Sequence, residues 1–426
     1  MRLPFIGLLF AVTASGATTG QVTFYKDVLP VLQKNCQNCH RAGEAAPFSL
    51  ITYKDARPWA AAMKEAVVSR RMPPWYADPH VGKFSNDRSL SKADIETLVA
   101  WAEHGAQEGD AADAPKPAEF TDGWSIGKPD YVVEMPASFE VPASGTIDYQ
   151  YFVVPTNFKE DRYVRFAEAR PGDRTLVHHI IAFIREPGSP WMKDIKPGVA
   201  FVPKKDGEEG GFGGEFLVAY APGLPPETLK PGQAKLVKAG SDIILQMHYT
   251  ANGHAGHDRS RVGFIFTNEP PKERVFMLAA DNEKFAIPPG NPNYEVTSKF
   301  QLQEDSTLQA FLPHMHFRGK DFEYRVTYPG GRTETLLRVP HYDFNWQLQY
   351  YLAEPKFLPK GSVIACTAHF DNSANNKYNP DPGKEVHFGE QTWEEMMIGF
   401  FEVSFDPAKS PMDLIVPKDK QKRATE

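Results

Sequence analysis

Only three cysteines, Cys36, Cys39 and Cys366, occur among the 426 residues, too few for a disulfide framework. Positive charge is not in excess either: 47 Lys and Arg stand against 54 Asp and Glu, a net charge of −7. That removes the electrostatic case for nucleic acid or an anionic membrane surface as partner. After Val12 no apolar run approaches the roughly 20 residues that a membrane-crossing helix needs, so no membrane span is expected in the mature chain. Low-complexity tracts and short internal repeats are also missing, which excludes a repeat array.

What is present begins with "MRLPFIGLLFAVTASGATTG", a basic residue, a short apolar stretch and small residues at Ser15 and Ala17. This pattern predicts a signal peptide over 1–17 and a periplasmic or secreted protein. The length suggests about three domains.

Cys36 and Cys39 fall in "CQNCH" with His40. C-x-x-C-H reads as covalent attachment of one c-type haem: two thiols one short turn apart reach the two vinyl groups, and the next histidine is placed as an iron ligand. The competing readings are a redox dithiol or half a zinc site. Neither a second C-x-x-C nor a βαβ pattern accompanies the motif. With both thiols consumed, Cys366 would have no intrachain partner and is expected to be a small buried hydrophobe.

The surrounding chain has helical spacing: Phe24, Val28, Val31 and Leu32 before the thiols, and Ile95, Leu98, Val99 and Ala102 after them. Ser91 and Asp94 suggest an N-terminal cap for the second of these helices, and Gly105 its end. "DARPWAAAMKEAVVSRRMPPW" predicts a further helix stopped by Pro73 and Pro74, with Met72 at its end as the candidate sixth haem ligand. His80, another residue or an open position are the alternatives. The segment resembles the small cytochrome c domains of bacterial exported proteins. A small all-α cytochrome c domain is set at 18–108.

"AQEGDAADAPKPAEF", 106–120, has linker composition, and the linker is set at 109–122. From Trp124 the pattern changes to short alternating runs such as "TIDYQYFVV" and "SDIILQMHYT", divided by Pro and Gly. Regular strand spacing without helical stretches predicts two all-β antiparallel sandwich domains, 123–268 and 269–410, followed by a tail at 411–426.

Several histidines lie in these strands. His178 and His179 are adjacent in "DRTLVHHIIAF", and neighbours on a regular strand point to opposite faces, so the pair can share one metal only at a bulge or strand end. A buried structural pair is the competing reading. His248 in "LQMHYT" could complete a three-imidazole site. His314 and His316 in "FLPHMHFRG" are two apart, so on a strand both rings leave one face and can bind one ion, or be a core or surface pair. Met396 and Met397 stand before an aromatic run, where methionine ordinarily packs. His254 and His257 suit a solvated loop, whereas His369 and His387 are the remaining histidines expected nearest the methionine site.

"LVHHIIAF", "LQMHYT", "HMHFRG" and "EEMM", in this order and at these separations, resemble the copper type II, ascorbate-dependent monooxygenases, the family of peptidylglycine α-hydroxylating and dopamine β-monooxygenases. The resemblance covers about residues 124–404. It implies two copper ions: one held by His178, His179 and His248 for electron transfer, the other by His314, His316 and Met396 for reaction of O2 with a substrate C–H bond. The family's spacing from a histidine, here His387, to an acidic-acidic-Met triplet selects Met396 over Met397. A thioether is soft and favours Cu(I), while methionine is a poor zinc ligand.

Leu312, Ile398 and Phe400 stand where the peptide-hydroxylating members carry an arginine, an asparagine and a tyrosine that clamp the substrate carboxylate. The departure implies an unknown, less polar small-molecule substrate. A tethered haem, fed by an external one-electron donor, is expected to supply electrons through the three-histidine copper. A haem and copper protein for electron transfer or copper handling, without hydroxylase activity, is the alternative.

Overall fold

The computed structural model describes residues 21–44, 46–120, 123–203, 213–221 and 223–415; the signal-peptide expectation and most of the tail lie outside the described residues. The described chain is mostly β-strand, with its few longer helices near the start.

Those helices, Leu29–Asn35, Tyr53–Ala56, Ala60–Val68 and Lys92–Glu103, pack around a core that includes Phe24, Val28, Leu32, Met63, Leu98 and Trp101. Ser91 caps the last of them by accepting from the Asp94 backbone N–H, satisfying a donor that the first helical turn leaves free. The helix expected to run as far as Met72 is shorter. It narrows to a tight turn at Arg57–Trp59, where Pro58 has no N–H to give, and its last part stops at Val68. Arg70 then adopts φ 56°, and the N–H groups of Arg71 and Met72 both return to the Ala66 carbonyl. Met72 thus stands past the helix rather than on it.

The strands build one large sheet with two smaller ones against it. Across the large sheet run Tyr131–Glu134, Arg261–Thr267, Arg162–Arg170, Gln233–Val237, Glu273–Asp281, Ile398–Phe405, Ser306–His314 and Tyr350–Leu358. The sheet of Gln150–Pro155, Asp242–Tyr249, Val177–Arg185 and Glu215–Tyr220 covers its first half through a core of residues such as Val164, Phe264, Ile180 and Leu245. Tyr294–Gln301, Val363–Phe370, Gly319–Thr327 and Thr333–Val339 cover the second half around Phe311, Phe322, Ile364 and Phe401. Cys366 is buried in that second core.

The two sandwiches are not separate bodies on a string. Gln233 and Ala234 pair in parallel with Glu273 and Arg274, which makes their larger sheets continuous. Lys235, fully buried beside this junction, lies 3.0 Å from Glu227 and 3.6 Å from Glu402. A fourth apolar cluster, with Tyr149, Tyr151, Phe183, Phe216, Met277, Leu312, Met396, Ile398 and Phe400, draws on both sandwiches.

The stretch after Met72 docks on the second sandwich. Phe84 bridges to Leu352, Ser85 and Lys83 exchange backbone hydrogen bonds with Tyr351 and Ala353, and Trp75 and Phe84 pack on Tyr350. Glu44, four residues after His40, pairs with Arg174 of the first sandwich at 3.0 Å.

Candidate metal centre

His179 pairs directly with His248 across neighbouring antiparallel strands, and the register slips between Val177 and His179. This irregularity is the bulge that two adjacent histidines require. It turns His178 to the side of its neighbour, so that His178 Nδ1 and His248 Nδ1 each lie 3.3 Å from His179 Nδ1. One ligand atom from each of the three rings falls within 4.8 Å of the other two. Tyr149 backs the group, 5.5 Å from the His179 ring and 4.8 Å from that of His248.

Burial lowers the pKa of all three imidazoles. His248 is brought down to about 3, with the charge of His178 adding to the effect, and His179 falls well below its ordinary value through burial and then the charge of His248. Neutral rings keep a lone pair for a metal. Three nitrogen donors within 4.8 Å of one another fit a copper, zinc or iron ion.

His314 and His316 form the second group. His314 pairs with Ile398 at the ends of two antiparallel strands; His316 lies two residues after His314 and Met396 two residues before Ile398, both just outside the paired segment. Both Nδ1 atoms are engaged: that of His314 with Gln347 Oε1 at 3.0 Å, and that of His316 with the Glu394 carbonyl at 3.2 Å. Each Nδ1 therefore carries the proton and each Nε2 is left as the available donor. His316 Nε2 is buried without a hydrogen-bond partner. Two neutral imidazoles, one with an orphaned buried nitrogen, together with the buried thioether of Met396 make a donor set whose chemistry fits a soft metal such as Cu(I). Burial brings His314 to about 4 and His316 well below its ordinary range.

Glu395 does more than mark a spacing. Its carboxylate accepts from the backbone N–H groups of His316 at 2.9 Å and Arg318 at 2.6 Å, fixing the chain just beyond the strand end. Burial raises this carboxyl to about 8, although both donors oppose the shift. Gln347 was not singled out in the sequence. Its local signal is a buried glutamine in the otherwise aromatic run "FNWQLQYYL", and its amide also donates to the Phe344 carbonyl at 3.0 Å.

A cavity of about 130 Å³ lies between the sandwiches and touches both groups, with His179 on one side and His314 and Met396 on the other. Its wall is mainly apolar, including Ile181, Phe216, Leu224, Leu312, Phe388 and Phe400, and among the described residues no lysine or arginine lines it. Glu283 and Glu390 are the carboxylates in the lining.

Cys36 and Cys39 are not bonded to each other. Burial raises Cys36 to about 12 and raises Cys39 as well, the reverse of the activated thiolate that a redox dithiol uses. His40 Nδ1 lies 3.3 Å from the Phe48 carbonyl, leaving Nε2 as a possible iron ligand, and Phe48 in turn stacks on Trp59. These features fit covalent haem attachment. Met72 is half-buried outside the helical core whereas Met63 is inside it, and no described contact joins Met72 to His40; His80 is exposed.

His369 bonds Asp321 at 2.7 Å and His387 pairs with Glu385 at the surface, so neither ring is among those lining the cavity. His254 and His257 are exposed.

No known family description and no curated protein matches this chain. Among solved structures, the infectious bursal disease virus VP2 subviral particle is 8% identical, with 67% of this chain and 74% of that chain covered and a TM-score of 0.21. The STIV MCP is 9% identical over 58% of this chain and 95% of that one, with a TM-score of 0.20. Likenesses this distant carry no argument about what the site does.

Proposed function

We propose that the protein is an exported copper-dependent monooxygenase that hydroxylates a C–H bond of a small, weakly polar substrate, with electrons supplied through the three-histidine site and a tethered c-type haem. The observation that carries this reading is one apolar cavity lined by His179 of a three-imidazole cluster and by His314 and Met396 of an unlike histidine, histidine and methionine set. Copper bound there would supply one-electron redox chemistry and reaction with O2.

The protein's own residues prepare that chemistry in separable ways. Gln347 and the Glu394 carbonyl hold the protons of His314 and His316 on Nδ1 and so turn Nε2 outward as donor. Glu395 secures the loop that carries His316. Leu312, Phe388 and Phe400 exclude water from the cavity and favour an apolar substrate body. Among the described residues no cation lines the cavity, so they offer a carboxylate-bearing substrate no charged clamp.

The helical segment with Cys36, Cys39 and His40 would hold the haem, making it an all-α cytochrome c domain. Its docking on both sandwiches supports a fixed electron source in place of one ranging on a loose tether.

Copper content per haem, measured on protein matured with both available and cleared of loosely held metal, is the first test. Two coppers per haem and oxygen uptake matched by hydroxylated product are expected. Two coppers without oxygen uptake, across a broad panel of apolar compounds, would leave electron transfer or copper handling as the function.

A further inference from the structure

Phe344 belongs to the loop between the strands Thr333–Val339 and Tyr350–Leu358 of the second sandwich, yet its ring lies flat on His178 of the first. The centroids are 5.4 Å apart and the planes differ by 9°. The same ring meets His316 edge-on, at 6.1 Å and 90°, while Phe317 supports it from another side at 4.8 Å.

The cavity and this phenyl ring divide the two donor sets between them. His179 and His314 line the cavity; His178 and His316 contact Phe344. The ring thus bridges the two sandwiches and is not among the residues that line the cavity.

Its backbone is anchored to the second group. The Phe344 carbonyl accepts from Gln347 Nε2 at 3.0 Å, the Gln347 Oε1 meets His314 Nδ1 and also accepts from the Tyr342 hydroxyl at 3.0 Å, and Asp343 closes the turn by accepting from the Asn345 N–H at 3.0 Å. One short loop therefore orients His314 through an amide and reaches His178 through an aromatic ring. Truncating the ring leaves the amide contacts intact, so the two roles can be separated.

From this arrangement we infer that Phe344 is a positioning residue, a spacer that fixes the separation and mutual orientation of the two donor sets. A flat aromatic wedge between a neutral imidazole on one body and an edge-on imidazole on the other resists both closing and sliding of the gap. The inference rests on the copper reading for its consequence in turnover, because a single electron must leave the metal at one set and arrive at the other. The mechanical part concerns only the protein's own rings.

The test compares Phe344→Ala and Phe344→Tyr with the unaltered full chain. In metal-free protein, imidazole NMR signals of His178 and His316 report the ring directly: both should move in Phe344→Ala and return in Phe344→Tyr, with the remaining spectrum unchanged. In the copper-loaded protein, pulsed EPR should give a broader or shifted copper–copper distance in Phe344→Ala at unchanged copper content. Turnover should fall roughly 10- to 100-fold at constant KM, and Phe344→Tyr should recover it.

An Ala variant whose two imidazoles and intermetal distance match those of the parent overturns the proposal. So does a change confined to His178, which would make Phe344 a local cover. Should the parent bind no copper, the copper reading fails, and the metal-free imidazole signals still decide whether Phe344 couples the two groups.

Discussion

His179 stands directly opposite His248 in an antiparallel strand pair, their Nδ1 atoms 3.3 Å apart. Two uncharged nitrogens at that distance, with His178 Nδ1 equally close, leave little for one another except a shared proton or a shared metal. Replacing His248 with Ala should lower the copper content by one per chain while the Met396 site keeps its own. Metal analysis after dialysis against a weak chelator checks this, and an unchanged content would show that the rings are a structural pair.

Met396→Ile preserves apolar volume and removes the thioether. Product formation should disappear while the haem spectrum and the Cu(II) EPR signal of the three-histidine site persist. Turnover at the parental rate would remove Met396 from the reaction.

Gln347→Leu takes away the acceptor that holds the His314 proton on Nδ1. Loss of such an orienting partner typically costs 10- to 100-fold in metal affinity, so a competition titration with a Cu(I) chelator should show about that weakening at one site only. Equal weakening at both sites would argue for general disruption of the cleft.

Lys235 is wholly buried with Glu227 and Glu402 at the junction of the sandwiches. Lys235→Met removes the cation hydrogen-bonded to Glu227 and leaves that buried partner unpaired, which should cost about 3–5 kcal/mol in urea unfolding at neutral pH. Combining it with Glu402→Gln should change that loss little at neutral pH, since burial already raises Glu402 to about 8 and keeps its proton on.

The pH dependence of the metal-free protein follows from opposite shifts. Burial raises Glu402 to about 8, with Glu227 adding to the rise, and raises Glu215 to about 7 against the pull of Arg274. The unfolded chain loses these protons near its reference value of about 4.3, so the stabilisation from native protonation is lost as pH rises through the native values. The buried histidines run the other way. Their native pKa values are depressed, and stability falls as pH drops below the unfolded value of about 6.5. Urea midpoints should therefore peak near pH ~6.5, and Glu402→Gln should flatten the alkaline side alone. A midpoint that climbs steadily to pH ~9 would contradict the direction given to Glu402.

Much of the donor arrangement was legible because strand geometry is local. Two histidines in "HMH" share a face by period, and "HH" could cooperate only with an irregular strand, which is what the Val177–His179 slip provides. The strands themselves showed through alternation and Pro and Gly punctuation. Gln347, Phe344 and the Lys235 cluster were not legible, because each acquires its role from a partner far along the chain and carries no periodic signal. The parallel pairing of Gln233 and Glu273 was hidden for the same reason. The helix before Met72 was read too long because its stop lies in the positive φ of Arg70, a residue type with no preference for that conformation.

The bridge from Phe84 to Leu352 also bears on how the chain can be divided. Tyr350–Leu358 is the last strand of the large sheet, and its outer backbone groups are met by Lys83, Ser85 and the Asn86 side chain. Cutting the chain near the linker to isolate the β-rich part would strip that cover from an open strand, inviting pairing with a second molecule. An N-terminal truncation intended as a minimal catalytic fragment would thus risk insolubility for reasons unrelated to its chemistry, and a useful fragment would keep the segment through Asn86 or place a charged residue on that edge.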